Sequence, residues 1–331
     1  MIPTLFGITL VVFAIINLAP GSPVERRLQE MRFGGLNQTS TDRASKDSSG
    51  VSQEVIDALN KQYGFDKPVH IRYWIWLKNI SRLDFGDSFT YEEPVLDVIV
   101  SKFPVSLQFG IISLILSYIV CIPLGVFKAV KHGSAFDLGS SVMLFVMYSI
   151  PGFMLAILLI VYTAGGSFYD WFPVGELYSD NYADLAFWAQ VKDRVVHFIL
   201  PLICYMIGHF TVLTMLMKNS LLDEIGKDYI RTARAKGLRD KAVYLKHALR
   251  NALIPIVTGL GGMLSVFFAG SLLLEMIFNL DGIGLMSYKA VLERDYNLIM
   301  GSMFIQSLVM LVGNLLSDLA YVVVDPRIDF K

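Results

Sequence analysis

The side chains able to make or break bonds are scattered through this sequence. His70, His132, His197, His209 and His247 stand far apart, and none belongs to the HExxH pair that holds zinc on one helix face. Gly226-Lys227 is followed by Asp228 and has no upstream glycine, so it is not a Walker A phosphate cradle. No GxSxG elbow occurs. Cys121 and Cys204 lie inside apolar runs with no third ligand nearby, and read as small buried hydrophobes. The one dense cluster of reactive character is basic: Tyr229–Arg250, with the sequence YIRTARAKGLRDKAVYLKHALR. Its chemistry is charge contact rather than catalysis.

Spacing within that stretch predicts its shape. Ser220 with Asp223 three residues on marks a helix start. Ile225, Tyr229 and Ala233 fall at i, i+4 and i+8, an apolar stripe, with Lys227, Arg231 and Arg234 on another face. Gly237 then interrupts and permits a sharp turn. Beyond it, Leu245, Ala248, Leu249 and Ala252 predict a second stripe opposed by Arg239, Lys246 and Arg250. Two short amphipathic helices joined at a glycine are expected, with Ala233 and Ala235 leaving room for something large against the turn. Charge alone also fits an ordinary cytoplasmic loop, or a basic face resting on anionic lipid at about 1 kcal/mol per Lys or Arg.

Composition says what must position this stretch. Of 331 residues, 54% are hydrophobic and only 17% charged, too little polar surface to cover a soluble globule. A net charge of −1 gives no reason to expect nucleic acid. Six apolar runs approach the roughly 20 residues a membrane helix needs: Ile2–Leu18, Val105–Val126, Leu138–Ala164, Val195–Met217, Ala252–Phe278 and Leu298–Val324. The first has no basic lead and no small-residue cleavage site, which favours an anchor over a signal peptide. The loops after the second and fourth runs are basic, and those after the third and fifth are acidic. Both termini are therefore expected in the cytoplasm.

The first loop, 19–104, is expected outside the membrane as a small domain. Its Gly34–Gly50 part is polar and lacks aromatics. Val55, Leu59 and Tyr63 recur at helical spacing, with Gly64 as a stop. A second helical pattern carries Tyr73, Trp74, Trp76 and Leu77, read as packing within that domain in preference to an interfacial anchor.

The run Arg231-Thr232-Ala233-Arg234-Ala235-Lys236-Gly237, followed by His247-Ala248-Leu249-Arg250-Asn251-Ala252 and Pro255, resembles the cytoplasmic signature loop of ABC importer permeases of the dipeptide, oligopeptide and nickel group. The general signature opens Glu-Ala-Ala; here the matching positions are Arg231, Thr232 and Ala233, a form common in the peptide branch. Tyr63-Gly64-Phe65-Asp66-Lys67-Pro68, Leu83-Asp84-Phe85-Gly86-Asp87-Ser88, Glu275-Met276-Ile277-Phe278, Asp281-Gly282-Ile283-Gly284, Arg294-Asp295-Tyr296 and Asp325-Pro326-Arg327 resemble other segments of these permeases, so the likeness covers nearly the whole chain. Ala164-Gly165-Gly166-Ser167, Leu213-Thr214-Met215-Leu216 and the polar insert are similar to the Yej-type branch, associated with oligopeptides and the peptide antibiotic microcin C. A short Arg-rich lead usual in the family does not precede Ile2.

The resemblance implies an all-α membrane protein of the type I ABC importer permease fold, with six transmembrane helices and a periplasmic N-terminal domain between spans 1 and 2. Its parts would be a first helix at 1–18, the external region 19–104, a permease core 105–324 containing a coupling loop at 218–250, and a cytoplasmic tail 325–331. The coupling residues would be Tyr229, Arg231, Thr232, Ala233, Arg234, Ala235, Lys236 and Gly237. The chain would not be an enzyme; ATP and Mg would bind a partner ATPase. Other expected partners are a second permease in a heterodimer, a periplasmic peptide-binding protein and the lipid of a bacterial inner membrane. A dipeptide or nickel permease is the alternative, and a membrane scaffold without transport the reading from another class. Thr211, Thr214, Gln306, Asn314 and Asp318 are candidate lining for a translocation path, against interhelical hydrogen bonding as the plainer role. Gly259, Gly262 and Gly270 point to close helix packing.

Overall fold

Uncharged apolar runs satisfy their backbone groups internally only as helices when no water is at hand. A computed structural model of the chain describes residues 2–18, 66–166, 168–259 and 270–324. Among the described residues there is no β-strand, only the isolated bridges Asp87–Pro94 and Ala164–Phe172. The helices are α1 Ile2–Leu18, α2 Val69–Ile80, α3 Val95–Val130, α4 Ala135–Ser149, α5 Gly152–Thr163, α6 Phe187–Ile225, α7 Asp228–Ala235, α8 Asp240–Ala242, α9 Leu249–Ala252, α10 Ile254–Thr258, α11 Leu272–Ile277, α12 Ile283–Glu293 and α13 Tyr296–Val324. A π-helical turn, Val243–Ala248, joins α8 to α9. The pattern at Val55, Leu59, Tyr63 and Gly64, the insert 34–50, Gly262 and the ending 325–327 lie outside the described residues.

Among the described residues three helices, α3, α6 and the first part of α13, are long and apolar enough to cross a membrane. The expected third span is two helices, α4 and α5, bent by 94°. The break falls at Ile150-Pro151: proline has no N–H to donate and disfavours helix in the residue before it, and Ile150 is extended, at φ −91° and ψ 117°. The expected fifth span is described only at its two ends, by α9 and α10 and by α11. The expected helix start at Ser220 is corrected, since Ser220 lies within α6. That helix has 39 residues, about 58 Å at 1.5 Å per residue, roughly twice a hydrocarbon core. It therefore carries its last turns well beyond the apolar run.

The chain divides into two compact units. The first comprises Met1–Ser101 and Met286–Leu308. There α2 packs on α1 through Tyr73, whose hydroxyl lies 3.1 Å from Thr9 Oγ1, and Phe13, Tyr73 and Met300 form a small core with Trp76 and Leu77 at its edge. The second unit comprises Lys102–Leu285 and Val309–Lys331. Here Gly125 lets α3 approach α6 closely. A Cβ at Gly125 would stand 2.6 Å from Met217 Cβ and 2.8 Å from the Thr214 carbonyl, so any larger residue must separate the two helices.

Candidate functional site

The basic loop folds as two short helical pieces around Gly237, as the spacing predicts. Their inward faces differ from the prediction. In α7 the buried residues are Ile230 and Ala233. Gly226 ends α6 and Lys227 is extended before α7 starts, so Ile225 and Tyr229 no longer share one helical phase. Ile230 and Ala233 join a core with Leu213, Met217 and Leu221 of α6, Ala129 of α3, and Val243, Ala248 and Ala252. Ala233 is thus filled from within the chain and is no open seat for a partner. Beyond Gly237 the π-helical turn changes the register: Val243 and Ala248, five apart, are both fully buried, while Leu245 is exposed. The wider i→i+5 turn accounts for the shift.

The turn itself has a defined closure. Gly237 N–H donates to the Arg234 carbonyl at 2.9 Å, and Leu238 N–H to the Ala233 carbonyl at 3.4 Å. This is the Schellman pattern, whose residue after the helix cap must be left-handed; Gly237 has φ +77°. Arg234 bridges the turn, donating from Nη2 to the Tyr244 hydroxyl at 2.9 Å and lying 3.4 Å from Asp240. Thr232 donates back to the Asp228 carbonyl. Arg231, Thr232, Arg234, Ala235, Lys236 and Gly237 are all exposed. The result is a basic knob with a rigid base.

Glu224, at the end of α6, fastens that knob. Lys227 Nζ lies 2.5 Å from its carboxylate, and the Tyr229 hydroxyl donates to its other oxygen. Asn251 of α9 donates to the Tyr229 oxygen at 3.0 Å. Burial pushes the Glu224 carboxyl up, but the Lys227 and Tyr229 donors outweigh it and hold the group below its ordinary 4.5. Burial, then the adjoining Glu224 charge, pushes the Tyr229 phenol up to about 12. The sequence reading missed Glu224; its signal was a carboxylate with Lys and Tyr three and five residues on, at the edge of a basic run.

A buried ion cluster also went unread. Lys128 of α3 and Lys218 of α6 both bind Asp137 of α4, at 3.2 and 2.8 Å. Lys128 is fully buried and also donates to the Asp137 carbonyl and to Ser140 and Ser141. Both lysines lie at the edges of apolar runs, where the sequence shows them only as part of the basic loops after the second and fourth runs. Together the three residues tie one end of α3, α4 and α6.

The path candidates separate. Thr211 is buried and donates to the Leu144 carbonyl at 2.8 Å, and Thr214 is fully buried against α3. Both are placed for helix packing. Gln306 lies 3.4 Å from Ser287. Asn314 and Asp318 share an exposed face of α13. A cavity of about 550 Å³ opens at the α4–α5 break, walled by Tyr148, Pro151, Tyr205, His209, Ser271 and Leu274 among others.

Two pairs of the quoted motifs meet in space. In the first unit, Ser88 donates to Asp295 at 2.5 Å, Thr90 N–H and Leu298 N–H also bind Asp295, and Asn297 donates to the Asp87 carbonyl. In the second, the fully buried Glu275 carboxylate receives Ser106 Oγ at 2.9 Å, Ser271 N–H at 3.2 Å and Leu285 N–H at 2.8 Å. Gly270, Gly282 and Gly284 wall it in; a Cβ at Gly282 would stand 2.5 Å from the Glu275 carboxyl carbon.

Three long apolar helices among the described residues, with a basic loop packed on the end of one of them, describe a membrane component that presents a contact surface. Residues 121–330 match the family described as binding-protein-dependent transport system inner membrane component, and the chain belongs to it. It is a permease subunit and not itself an enzyme. Over its full length it is 44% identical to the peptidoglycan transport system permease protein YejB of Agrobacterium fabrum and 42% to the inner membrane ABC transporter permease protein YejB of Escherichia coli O157:H7, covering 96% of each. Over 99% of its length it is 33% identical to the oligopeptide transport system permease protein AppB of Bacillus subtilis, again covering 96%.

Proposed function

We propose that this chain is one half of a heterodimeric pore in an ATP-driven importer of oligopeptides, with both termini cytoplasmic and α7 and Gly237 docking on a separate ATPase that binds ATP and Mg. The observation that carries the coupling role is the asymmetry of α7. Ile230 and Ala233 lock it to α6, and Arg231, Thr232, Ala235 and Lys236 face outward. A push on the outer face is thereby passed to a 39-residue helix. Nucleotide and a loaded periplasmic binding protein would shift the pore between inward and outward states through their different affinities for the two.

The names of the relatives support a peptide cargo, from peptidoglycan in one case and oligopeptides in another. Microcin C is a further candidate substrate. Uptake of labelled oligopeptides and peptidoglycan-derived peptides is to be compared between a strain lacking this gene and its complement, with microcin C sensitivity scored alongside. Restored peptide uptake on complementation is expected; equal uptake in both strains removes the proposal.

A further inference from the structure

α2 is apolar on two opposite faces. Tyr73 and Ile80, with Trp76 and Leu77 beside them, turn inward. Ile71, Trp74 and Ile75, at i, i+3 and i+4, turn outward, with exposures of 40%, 63% and 39%. At about 100° per residue Arg72 and Asn79 on one flank and His70 on the other separate these two faces, and nothing in the first unit covers the outer face among the described residues.

The level of α2 follows from its contacts with α1. The Tyr73 hydroxyl reaches Thr9 and the Phe6 carbonyl, and its ring lies 5.1 Å from that of Phe13. Thr9 precedes the last residue of α1, Leu18, by nine positions, or about 14 Å along the axis. α1 carries no charged residue, and Phe6, Leu10, Val11 and Ile15 stand 40–61% exposed along it. Such a surface on a membrane helix is covered by lipid or by another membrane subunit. An apolar groove of about 470 Å³ runs between the helices, walled by Phe6, Leu10, Phe13, Val69, Tyr73 and Trp74 among others. The outward face of α2 is therefore continuous with the exposed apolar surface of α1.

We infer that α2 is a membrane-embedded helix whose Ile71–Trp74–Ile75 face lies among the phospholipid acyl chains of the leaflet at the Leu18 end of α1, with a chain seated in the groove. Lys78, exposed at the end of that stripe, extends its stem along the apolar surface toward the head groups. α2 is thus a lipid contact within the segment 19–104, whose aromatic cluster reads from the sequence as packing in preference to an interfacial anchor.

The test places a nitroxide on Trp74→Cys in the assembled importer, in nanodiscs of phosphatidylethanolamine and phosphatidylglycerol. Cys121 and Cys204 are buried and stay in place. Asp180→Cys, on an exposed acidic loop, is the aqueous reference, and Ile71→Cys repeats the measurement on the same face should the Trp74 variant fail to assemble. Relaxation by oxygen relative to a water-soluble nickel chelate is expected to be several-fold higher at 74 and 71 than at 180. Labelling by a membrane-impermeant maleimide is expected to be several-fold slower. A ratio equal to that at 180 overturns the inference by placing the face in water. Shielding from both oxygen and chelate overturns it by placing a protein there.

Discussion

Tyr229, the second residue of α7, donates its phenolic proton to Glu224, the penultimate residue of α6. The bond crosses the break at Gly226-Lys227 between α6 and the basic knob, and with Lys227 it ties one to the other. Tyr229→Phe keeps the ring and removes the donor. A hydrogen bond to a charged group contributes about 1.5–3 kcal/mol, and Lys227 remains on Glu224, so a loss at the low end is expected. The variant should assemble, hydrolyse ATP and transport several-fold less cargo per ATP. The measurement is uptake and phosphate release on the same reconstituted sample.

The same pair sets a pH window. Glu224 has a depressed folded value, so its contribution is complete above 4.5 and is lost as pH falls through the lower folded value. Tyr229 has a raised folded value, so its contribution is complete below 10 and is lost as pH rises through about 12. Stability from this pair is therefore flat across neutral pH. Thermal unfolding of the purified importer should show an acid-side decline that Glu224→Gln reduces, with no difference in slope between the two near pH 7.

Gly237 can be tested for conformation separately from surface. No atom lies within 4 Å of a Cβ built there, yet φ is +77°. Gly237→Asn tolerates the left-handed region and should keep most coupling. Gly237→Leu adds bulk to strain of about 1–2 kcal/mol and should insert normally but uncouple transport from ATP hydrolysis. Wild-type uptake by the Leu variant would remove the docking assignment.

Ala233 and Ala235 give opposite expectations. Ala235→Cys, on the exposed face, should crosslink to the ATPase subunit in membranes. Ala233→Cys, packed in the α6 core, should stay unreactive until the protein is unfolded. Equal crosslinking at both positions would contradict the orientation of α7.

The buried cluster on Asp137 predicts non-additive losses. Asp137→Asn leaves Lys128 and Lys218 without their shared anion, a loss of about 3–5 kcal/mol. Lys218→Met leaves Asp137 paired with Lys128 and should lose less. The double variant should melt above Asp137→Asn alone, because one of the two uncompensated charges is gone. Melting of the detergent-solubilised protein separates these cases.

Apolar length made α3, α6 and α13 readable, and Gly237 declared its own turn. The inward faces of the basic loop were not readable, because periodicity assumes one unbroken helix. The break at Gly226-Lys227 and the extra residue in the 243–248 turn each reset the phase. Ile150-Pro151-Gly152 did announce a breaker, but nothing in three residue types gives a 94° bend. Lys128, Asp137 and Lys218 escaped because a lysine at the edge of an apolar run looks the same whether it faces water or a carboxylate eighty residues away. Glu275 and Ser106 were likewise unreadable as a pair: the Glu275 motif was visible, and its meeting with Ser106 was not.

The glycine-walled Glu275 site also dictates an order of assembly. Ser106 and Glu275 are 169 positions apart, and the Leu285 N–H that completes the carboxylate's shell leaves the ribosome later still. Until then only Ser106 and Ser271 can donate to the carboxylate, and a buried charge short of a donor is costly. Residues 270–285, which form the floor of this site, therefore close on Ser106 only after the helices between them have been made. A chain stalled or truncated before Leu285 would insert its earlier helices and still leave that floor open.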